Sequence, residues 1–254
     1  MPTVREIEQA LFELAPGEAA MEWDNVGHLL GDPNQAVERV LVALDVTEGV
    51  ADEAIVSGCQ LVVAHHPVMN CRWTPVQNIR DDTFQRHLFL KLLRNNVSAI
   101  CMHTNLDIAW GGVNDALAQR LELVDPGPLC ENGLGRVGEY PESVALADYV
   151  RFVCQALGCN GLRYADAGKP VRRVAVGGGA CGEFEDDAIR AGCDTFVTAD
   201  VKHSQYLEAR AMGINLMDAG HYATENVVCG PLARQLAQRF PQLRVLESQV
   251  HHEP

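Results

Sequence analysis

Six side chains that could bind metal ions or move protons occur in three short stretches of the chain. They are two adjacent histidines and two pairs in which a histidine precedes an acidic residue by four positions: His65 and His66, His103 and Asp107, and His221 and Glu225. Imidazole and carboxylate together suit zinc, iron, manganese, cobalt or nickel better than a calcium cage. One histidine alone would more often be structural, but the combination predicts a metal site.

The spacing within each stretch limits how its members can reach a metal ion. Side chains alternate along a strand, so His65 and His66 either reach two different ions or reach one ion where the chain turns. A histidine and an acid four residues apart share one face of a helical turn. This geometry suits 221–225, whereas the run 103–107 is predicted to be a loop, where the spacing is less informative.

Further candidates lie near these stretches. Gly178 is the middle of three glycines that follow a predicted strand, and such a turn could present backbone amides to a phosphate or carboxylate. A flexible tight turn explains the glycines equally well. Lys202 and His203 are candidates for substrate binding. For His203, a simple surface position and a role as an acid next to the metal ligands are the alternatives. Asp45 is expected to approach the same cleft.

The elements that must position these residues follow from the hydrophobic pattern. Thr3 and Glu6 form a capping-box pattern that predicts an amphipathic helix at the start of the chain. Buried strands are predicted at 40–44, 60–64, 97–102 and 214–217, and helices at 49–57, 84–95, 113–121 and 143–157. This alternation predicts an α/β fold with mostly parallel sheets, in which active sites gather at the carboxyl ends of the strands.

The second half of the chain repeats the pattern of the first. The segment 39–43 resembles 173–177, and Gly58-Cys59 resembles Gly192-Cys193 at the same offset. We therefore predict two similar, interlocked α/β halves, at 1–125 and 170–254. The second completes the metal site, and 126–169 is a connector with a small helical piece.

Composition excludes several classes of protein. The net charge is −14 and no cluster of Lys or Arg is present, so a nucleic-acid partner is not expected. The N-terminal sequence lacks the features of a signal peptide, and no apolar stretch is long enough to span a bilayer, so we expect a cytoplasmic protein with no membrane partner. The nine cysteines are scattered without a Cys-x-x-Cys pair, which argues against disulfides and a thiolate zinc site.

Several of these motifs together resemble the GTP cyclohydrolase I type 2 homologue family, also called the Nif-three-like or dinuclear metal centre (YbgI-type) family. The matching stretches are Val-Val-Ala-His65-His66-Pro67, His103-Thr-Asn-Leu-Asp107, the glycines 177–179, Thr-Ala-Asp-Val-Lys-His at 198–203, Asp-Ala-Gly-His221-x-x-x-Glu225, and Glu-Trp-Asp-Asn-Val-Gly at 22–27. They extend over most of the chain.

The resemblance implies two similar α/β domains in a Nif-three-like fold and two divalent metal ions per chain. It implies that His65, His66, Asp107, His221 and Glu225 are the ligands, with His103 close by. It also implies a ring-shaped homohexamer whose metal sites face an internal cavity. Zinc, iron and manganese are all candidates for the metal.

The expected function is metal-dependent hydrolysis, in which a hydroxide that bridges the two ions attacks the substrate. GTP, or a related cyclic or nucleotide compound, is the candidate small-molecule substrate. His103 or Glu225 would transfer a proton, and Lys202, His203 or Gly178 would bind the substrate. The alternative is a metal-binding or metal-handling protein without enzymatic activity.

Overall fold

The computed structural model describes residues 1–69 and 78–250, which form two compact units. The first unit comprises Met1–Ala109 and Cys229–His251, and the second comprises Trp110–Val228. Within the described residues, no helix is both long enough and apolar enough to cross a membrane.

Both units contain helices and strands. The helices are α1 (Val4–Leu14), α2 (Glu48–Val56), α3 (Phe84–Arg94), α4 (Thr104–Ile108), α5 (Val113–Arg120), α6 (Leu146–Leu157), α7 (Glu185–Arg190), α8 (His203–Met212), α9 (His221–Glu225) and α10 (Cys229–Arg239), with 3-10 turns at Gly17–Ala19, Gly182–Phe184 and Asn226–Val228. The strands are β1 (Gly27–Leu30), β2 (Arg39–Ala43), β3 (Leu61–Ala64), β4 (Ser98–Cys101), β5 (Val124–Pro128), β6 (Arg136–Val144), β7 (Arg163–Ala165), β8 (Val171–Val176), β9 (Thr195–Thr198), β10 (Asn215–Asp218) and β11 (Arg244–Glu247).

The first unit contains a five-stranded sheet in the order β1-β4-β3-β2-β11. Strands β4, β3, β2 and β11 run parallel, and β1 is antiparallel at one edge. Every residue of β3 and β4 is buried, which explains why these strands consist of small and apolar residues without alternation. The carboxyl end of β3 leads directly into His65, and that of β4 leads through Met102 into His103.

The second unit contains a six-stranded sheet in the order β5-β6-β8-β9-β10-β7. Only β8, β9 and β10 are parallel, while β5, β6 and β7 pair antiparallel. The prediction of mostly parallel sheets is therefore wrong for this unit, and the fold is mixed α/β with two mixed sheets. The antiparallel strands lie in 124–165, which includes most of the predicted connector.

The internal repeat is present in the structure. A parallel strand–helix–strand unit, β2-α2-β3, pairs Val40 with Leu61, and its counterpart β8-α7-β9 pairs Val174 with Thr195. Both pairs keep the offset seen in the sequence, so the two strand pairs have the same register. The repeat is therefore a repeat of backbone hydrogen bonding as well as of residue types.

The boundaries of the two units differ from the predicted halves. The C-terminal segment, α10 and β11, belongs to the first unit because β11 pairs with β2 and extends that sheet. The segment 126–169 contributes strands β6 and β7 to the sheet of the second unit rather than linking two halves. Strand pairing between distant residues determines both differences, and it leaves no local pattern in the sequence.

Candidate metal centre

Three imidazole rings meet at the carboxyl ends of β3 and β4 in the first unit. His65, His66 and His103 each have a ligand atom within 4.8 Å of the others. Their ring centroids are 5.0 to 5.6 Å apart, and the rings are tilted or edge-on to one another. The His65 side chain is 1% exposed, whereas His66 and His103 are partly exposed. The cluster thus combines one buried imidazole with two that are partly exposed.

Strand register brings these residues together. Ala64 pairs with Ala43 on one side and with Cys101 on the other. The residue two positions after Ala64 is His66. The corresponding residues after Ala43 and Cys101 are Asp45 and His103. Because parallel strands in register end at the same edge of the sheet, the side chains that follow them meet there.

Each histidine of this group has its Nδ1 atom beside an oxygen that accepts hydrogen bonds. His65 Nδ1 lies 2.8 Å from the carbonyl oxygen of Met102, and His66 Nδ1 lies 2.7 Å from Asp45 Oδ1. His103 Nδ1 lies 2.8 Å from Oδ1 of Asp24. A carbonyl or an ionised carboxylate only accepts, so Nδ1 carries the hydrogen and Nε2 carries the lone pair. Metal-binding histidines are commonly oriented in this way.

Asp107 brings a carboxylate to the same region. Its Oδ1 atom lies 3.6 Å from His65 Nε2, and both residues are buried. The run 103–107 was predicted to be a loop, but Thr104–Ile108 forms the short helix α4 with His103 as its N-cap. A single helical turn is too short to show a hydrophobic period, which is why the sequence pattern did not reveal it.

Asp24 connects the loop before β1 to the start of α4. Its side chain is fully buried and accepts hydrogen bonds from Thr104 N at 3.0 Å and Thr104 Oγ1 at 2.5 Å, besides that from His103. Burial tends to raise the pKa of this carboxyl group. The hydrogen bond from His103, the charge of this imidazole whenever it is protonated and the bonds from Thr104 together outweigh burial and lower the pKa well below its usual value. Asp24 is therefore a permanent anion at neutral pH.

The second unit has its own pair of ligand-type side chains on α9. His221 Nε2 lies 3.0 Å from Glu225 Oε2, and His221 Nδ1 lies 2.7 Å from Asp200 Oδ2. The sequence prediction that positions 221 and 225 share one face of a helical turn is confirmed. An imidazole between two carboxylates is stabilised when it is protonated, when one carboxyl group holds a proton, or when a cation lies between the imidazole and a carboxylate. This pair is thus also suited to a metal ion.

The glycine turn after β8 is built around Glu225. A β-carbon placed on Gly179 would lie 2.0 Å from Glu225 Oε1 and 3.1 Å from His221 Nε2, and the residue has φ of +66°. The absence of a side chain at this position is therefore what makes room for the carboxylate and the imidazole.

The backbone amides of this turn already have partners. Gly178 N–H donates to Asn114 Oδ1 at 2.9 Å, and Gly179 N–H donates to Thr224 Oγ1 at 3.0 Å. Both acceptor residues are fully buried. An anion could not use these two amides without breaking the bonds, so the amide-cradle interpretation has no support from this geometry. A substrate-binding role for Gly178 stays a prediction.

The remaining candidates lie at the start of α8. Lys202 and His203 are exposed, and Lys202 N–H donates to Gln205 Oε1 at 2.8 Å, which caps the helix. Asp200, just before them, has φ of +51°, a conformation that aspartate tolerates better than most residues. The turn directs its carboxylate to His221. Substrate binding by Lys202 and His203 stays a prediction.

Sequence reasoning anticipated an approach of Asp45 but missed the roles of Asp24, Asp200 and Gly179. Asp24 and Asp200 contact histidines that are 79 and 21 positions away along the chain. No spacing rule connects residues at such separations. The available signal was weaker: Asp24 and Asp200 lie in the stretches 22–27 and 198–203, which resemble the family.

Comparison with known proteins finds similar sequences and folds over nearly the whole chain. The chain is 38% identical over 248 residues to the GTP cyclohydrolase 1 type 2 homolog of Streptomyces coelicolor, covering 93% of this chain and 86% of that protein. Its fold matches a Bacillus cereus protein related to NIF3 with a TM-score of 0.93 and 24% identity, covering 100% of this chain and 98% of the other. It matches a hypothetical protein of Staphylococcus aureus with a TM-score of 0.92 and 26% identity, covering 99% and 98%.

The family profile for Duf34/NIF3 (NGG1p interacting factor 3) matches residues 2–254, which is almost the whole chain. The histidine and carboxylate groups described above lie within the matched region. The chain therefore belongs to the Duf34/NIF3 family.

Proposed function

We propose that the protein is a metal-dependent hydrolase that holds two divalent metal ions through His65, His66, Asp107, His221 and Glu225. The observation that carries the proposal is the buried approach of His65 Nε2 to Asp107 Oδ1 at 3.6 Å. His65 donates through Nδ1 to Met102, so the two facing atoms both carry lone pairs. Two electron-pair donors that face each other in the protein interior, such as His65 Nε2 and Asp107 Oδ1, are stabilised by a cation between them.

The second unit supports the proposal through the chemistry of its donors. His221 and Glu225 offer one imidazole and one carboxylate on the same helical turn. Asp200 at Nδ1 of His221 favours Nε2 as the metal-binding nitrogen. The mixture of nitrogen and oxygen donors suits zinc, iron or manganese, as the sequence predicts.

Divalent ions at these residues would supply Lewis acidity and activate water for attack at neutral pH. The protein's own residues would do the rest. His103 and Glu225 are the candidates for holding or moving a proton, because His103 is partly exposed beside the other imidazoles and Glu225 contacts His221. Lys202, His203 and Gly178 are the candidates for substrate contact. GTP or a related cyclic or nucleotide compound is the proposed substrate, in line with the name of the Streptomyces relative.

Metal content is the first test. After purification with zinc or manganese and gel filtration, elemental mass spectrometry should find two divalent ions per chain. His66→Ala should lose metal, whereas His87→Ala should not, because His87 is exposed and contacts Asp81 and Glu48 on the surface. Equal metal content in the wild type and His66→Ala would contradict the proposed ligand set.

Turnover is the second test. The metal-loaded protein would be offered GTP, other nucleotides and small cyclic amides, with the His65→Ala/His66→Ala double variant as the control. We expect at least one compound to be hydrolysed by the wild type alone. If metal binds but no compound is turned over beyond the control, the result favours the alternative function, a metal-handling protein without enzymatic activity. In that case ligand variants should change the metal content of cells rather than a metabolite.

A further inference from the structure

A buried carboxylate outside the proposed ligand set contacts one of the clustered imidazoles. We propose that Asp24 is a positioning residue, which holds His103 in the tautomer and orientation that turn Nε2 toward His65 and His66. The inference rests on the proposed function, because a fixed orientation of His103 matters only if the cluster of His65, His66 and His103 binds a metal ion. It adds to that function a residue from the loop before β1, outside the elements that carry the ligands.

The contacts of Asp24 show why its carboxylate suits this task. Oδ1 accepts from His103 Nδ1 at 2.8 Å and from Asn25 N at 2.7 Å, while Oδ2 accepts from Thr104 N and Thr104 Oγ1. Both oxygens therefore face backbone N–H groups, which can only donate. With both oxygens held by fixed donors, the carboxylate cannot rotate away, and it presents a fixed acceptor to the imidazole.

Neighbouring contacts restrain the same ring. The Trp23 ring packs edge-on against His103, with centroids 6.0 Å apart and planes at 77°. Met21 N donates to Thr104 Oγ1 at 2.9 Å, so the loop is attached to α4 on both sides of Trp23. An imidazole held at Nδ1 and flanked by an aromatic ring has little freedom to flip. This restraint is what a positioning role requires.

A purely structural role for Asp24 is the competing explanation, since the same carboxylate anchors the loop to α4. A substitution at Thr104 distinguishes the anchoring of the loop from the orientation of His103. Thr104→Val removes the hydroxyl that bonds Asp24 and Met21 but leaves the contact between Asp24 and His103 intact. Asp24→Asn keeps the shape of the side chain but must turn its NH₂ group toward one of the fixed donors. When the NH₂ group faces His103, Nδ1 has to accept rather than donate.

The first measurement needs no metal and no substrate. In metal-free protein labelled with ¹⁵N at histidine, long-range ¹H–¹⁵N spectra above pH 8 report the tautomer of each neutral ring, with His103→Gln used for assignment. We expect His103 to be the Nδ1–H tautomer in the wild type and in Thr104→Val, and to become mixed or Nε2–H in Asp24→Asn. An Nε2–H tautomer in the wild type would overturn the proposal without recourse to any variant.

The second measurement is the affinity for Zn²⁺ or Mn²⁺, with the visible spectrum of the Co²⁺-loaded protein as a report on ligand geometry. The ligand atoms of His65, His66 and His103 lie within 4.8 Å of one another, so a turned His103 ring changes the group of imidazoles that faces the ion. We therefore expect Asp24→Asn to weaken binding by about 10- to 100-fold and to change the Co²⁺ spectrum. Thr104→Val should bind within about threefold of the wild type. Equal effects of the two variants on affinity would indicate an anchoring role and overturn the proposal, and so would wild-type affinity in Asp24→Asn. If the wild type binds no metal at all, the proposed function fails, and the tautomer result still decides whether Asp24 orients His103.

Discussion

At the scale of single residues, Gly179 illustrates how a site can depend on an atom that is absent. Its α-carbon approaches Glu225 so closely that a methyl group would overlap the carboxylate. The sequence contains three consecutive glycines, and from the sequence alone we predicted that Gly178 binds substrate. The structure gives Gly179 the closest approach to the ligand-type residues, because the contact comes from α9, far along the chain. Sequence spacing alone could not distinguish between the neighbours.

Replacement of Gly179 by alanine should therefore displace Glu225 and weaken metal binding, by about tenfold or more if one ligand is lost. The matched control is Gly192→Ala, since Gly192 has a similar φ of +74° but no heavy atom within 4 Å of the added β-carbon. Both variants should lose about 1 kcal/mol of stability from the positive φ. Calorimetric titration with Zn²⁺ would separate them. Equal affinities in the two variants would refute the steric argument.

At the scale of elements, the capping-box pattern of Thr3 and Glu6 predicts α1, and both reciprocal hydrogen bonds are present. The pattern worked because all of its information lies within four residues. Strand β1 is not among the predicted strands, since its four residues are too few to show alternation and its pairing partner is β4. Helix α4 was missed for a similar reason. Local signals thus predicted long elements, while short elements near the site depended on distant contacts.

The capping box allows a test of how much the N-terminal cap stabilises α1. Thr3→Ala removes the hydroxyl that accepts from Glu6 N, so we expect a loss of about 1 kcal/mol in the free energy of unfolding. Urea denaturation followed by circular dichroism would measure it. Thr47→Ala at the cap of α2, where the hydroxyl accepts from Val50 N, provides a comparison of the same kind. An unchanged midpoint in Thr3→Ala would mean that packing alone holds α1.

Helix α7 begins with a buried acid, Glu185, which should make stability depend on pH. Burial, followed by the charges of Glu208 and Asp186, raises the pKa of Glu185 from 4.5 to about 7. The folded protein therefore holds a proton that the unfolded chain releases. The stabilisation is complete below about pH 4.5, falls as the pH rises and is lost above about 7.

Glu185→Gln should remove this dependence. In metal-free protein the variant should gain stability relative to the wild type between pH 5 and pH 8, by about 3 kcal/mol at most, since one pKa unit corresponds to about 1.4 kcal/mol. Chemical denaturation of both proteins at pH 5 and pH 8 would measure this difference in the free energy of unfolding. The exposed neighbour Glu183 provides the control, because Glu183→Gln should follow the wild type. A pH profile of Glu185→Gln that parallels the wild type would rule out a buried proton at this position.

At the scale of the whole molecule, the sequence predicted two related α/β halves, at 1–125 and 170–254, whereas the structure divides the chain after Ala109 and after Val228. The repeat was visible because residue types recur at a fixed offset. The return of α10 and β11 to the first unit was not visible, because it depends on β11 pairing with β2. The ring-shaped homohexamer and the cytoplasmic location stay predictions. Sedimentation analysis of the wild type would test the former.

Metal binding should also stabilise the whole molecule, because the unfolded chain cannot keep the ligands together. A ligand at 100 times its dissociation constant adds about 2.7 kcal/mol to the free energy of unfolding. For a chain of 254 residues this corresponds to an increase in Tm of about 5 to 10 °C. Scanning calorimetry with and without a chelator should show the shift in the wild type and in His87→Ala, but not in His65→Ala/His66→Ala. A shift of equal size in the double variant would mean that metal stabilises the fold elsewhere on this acidic chain, because ligand-dependent stabilisation must disappear with its ligands.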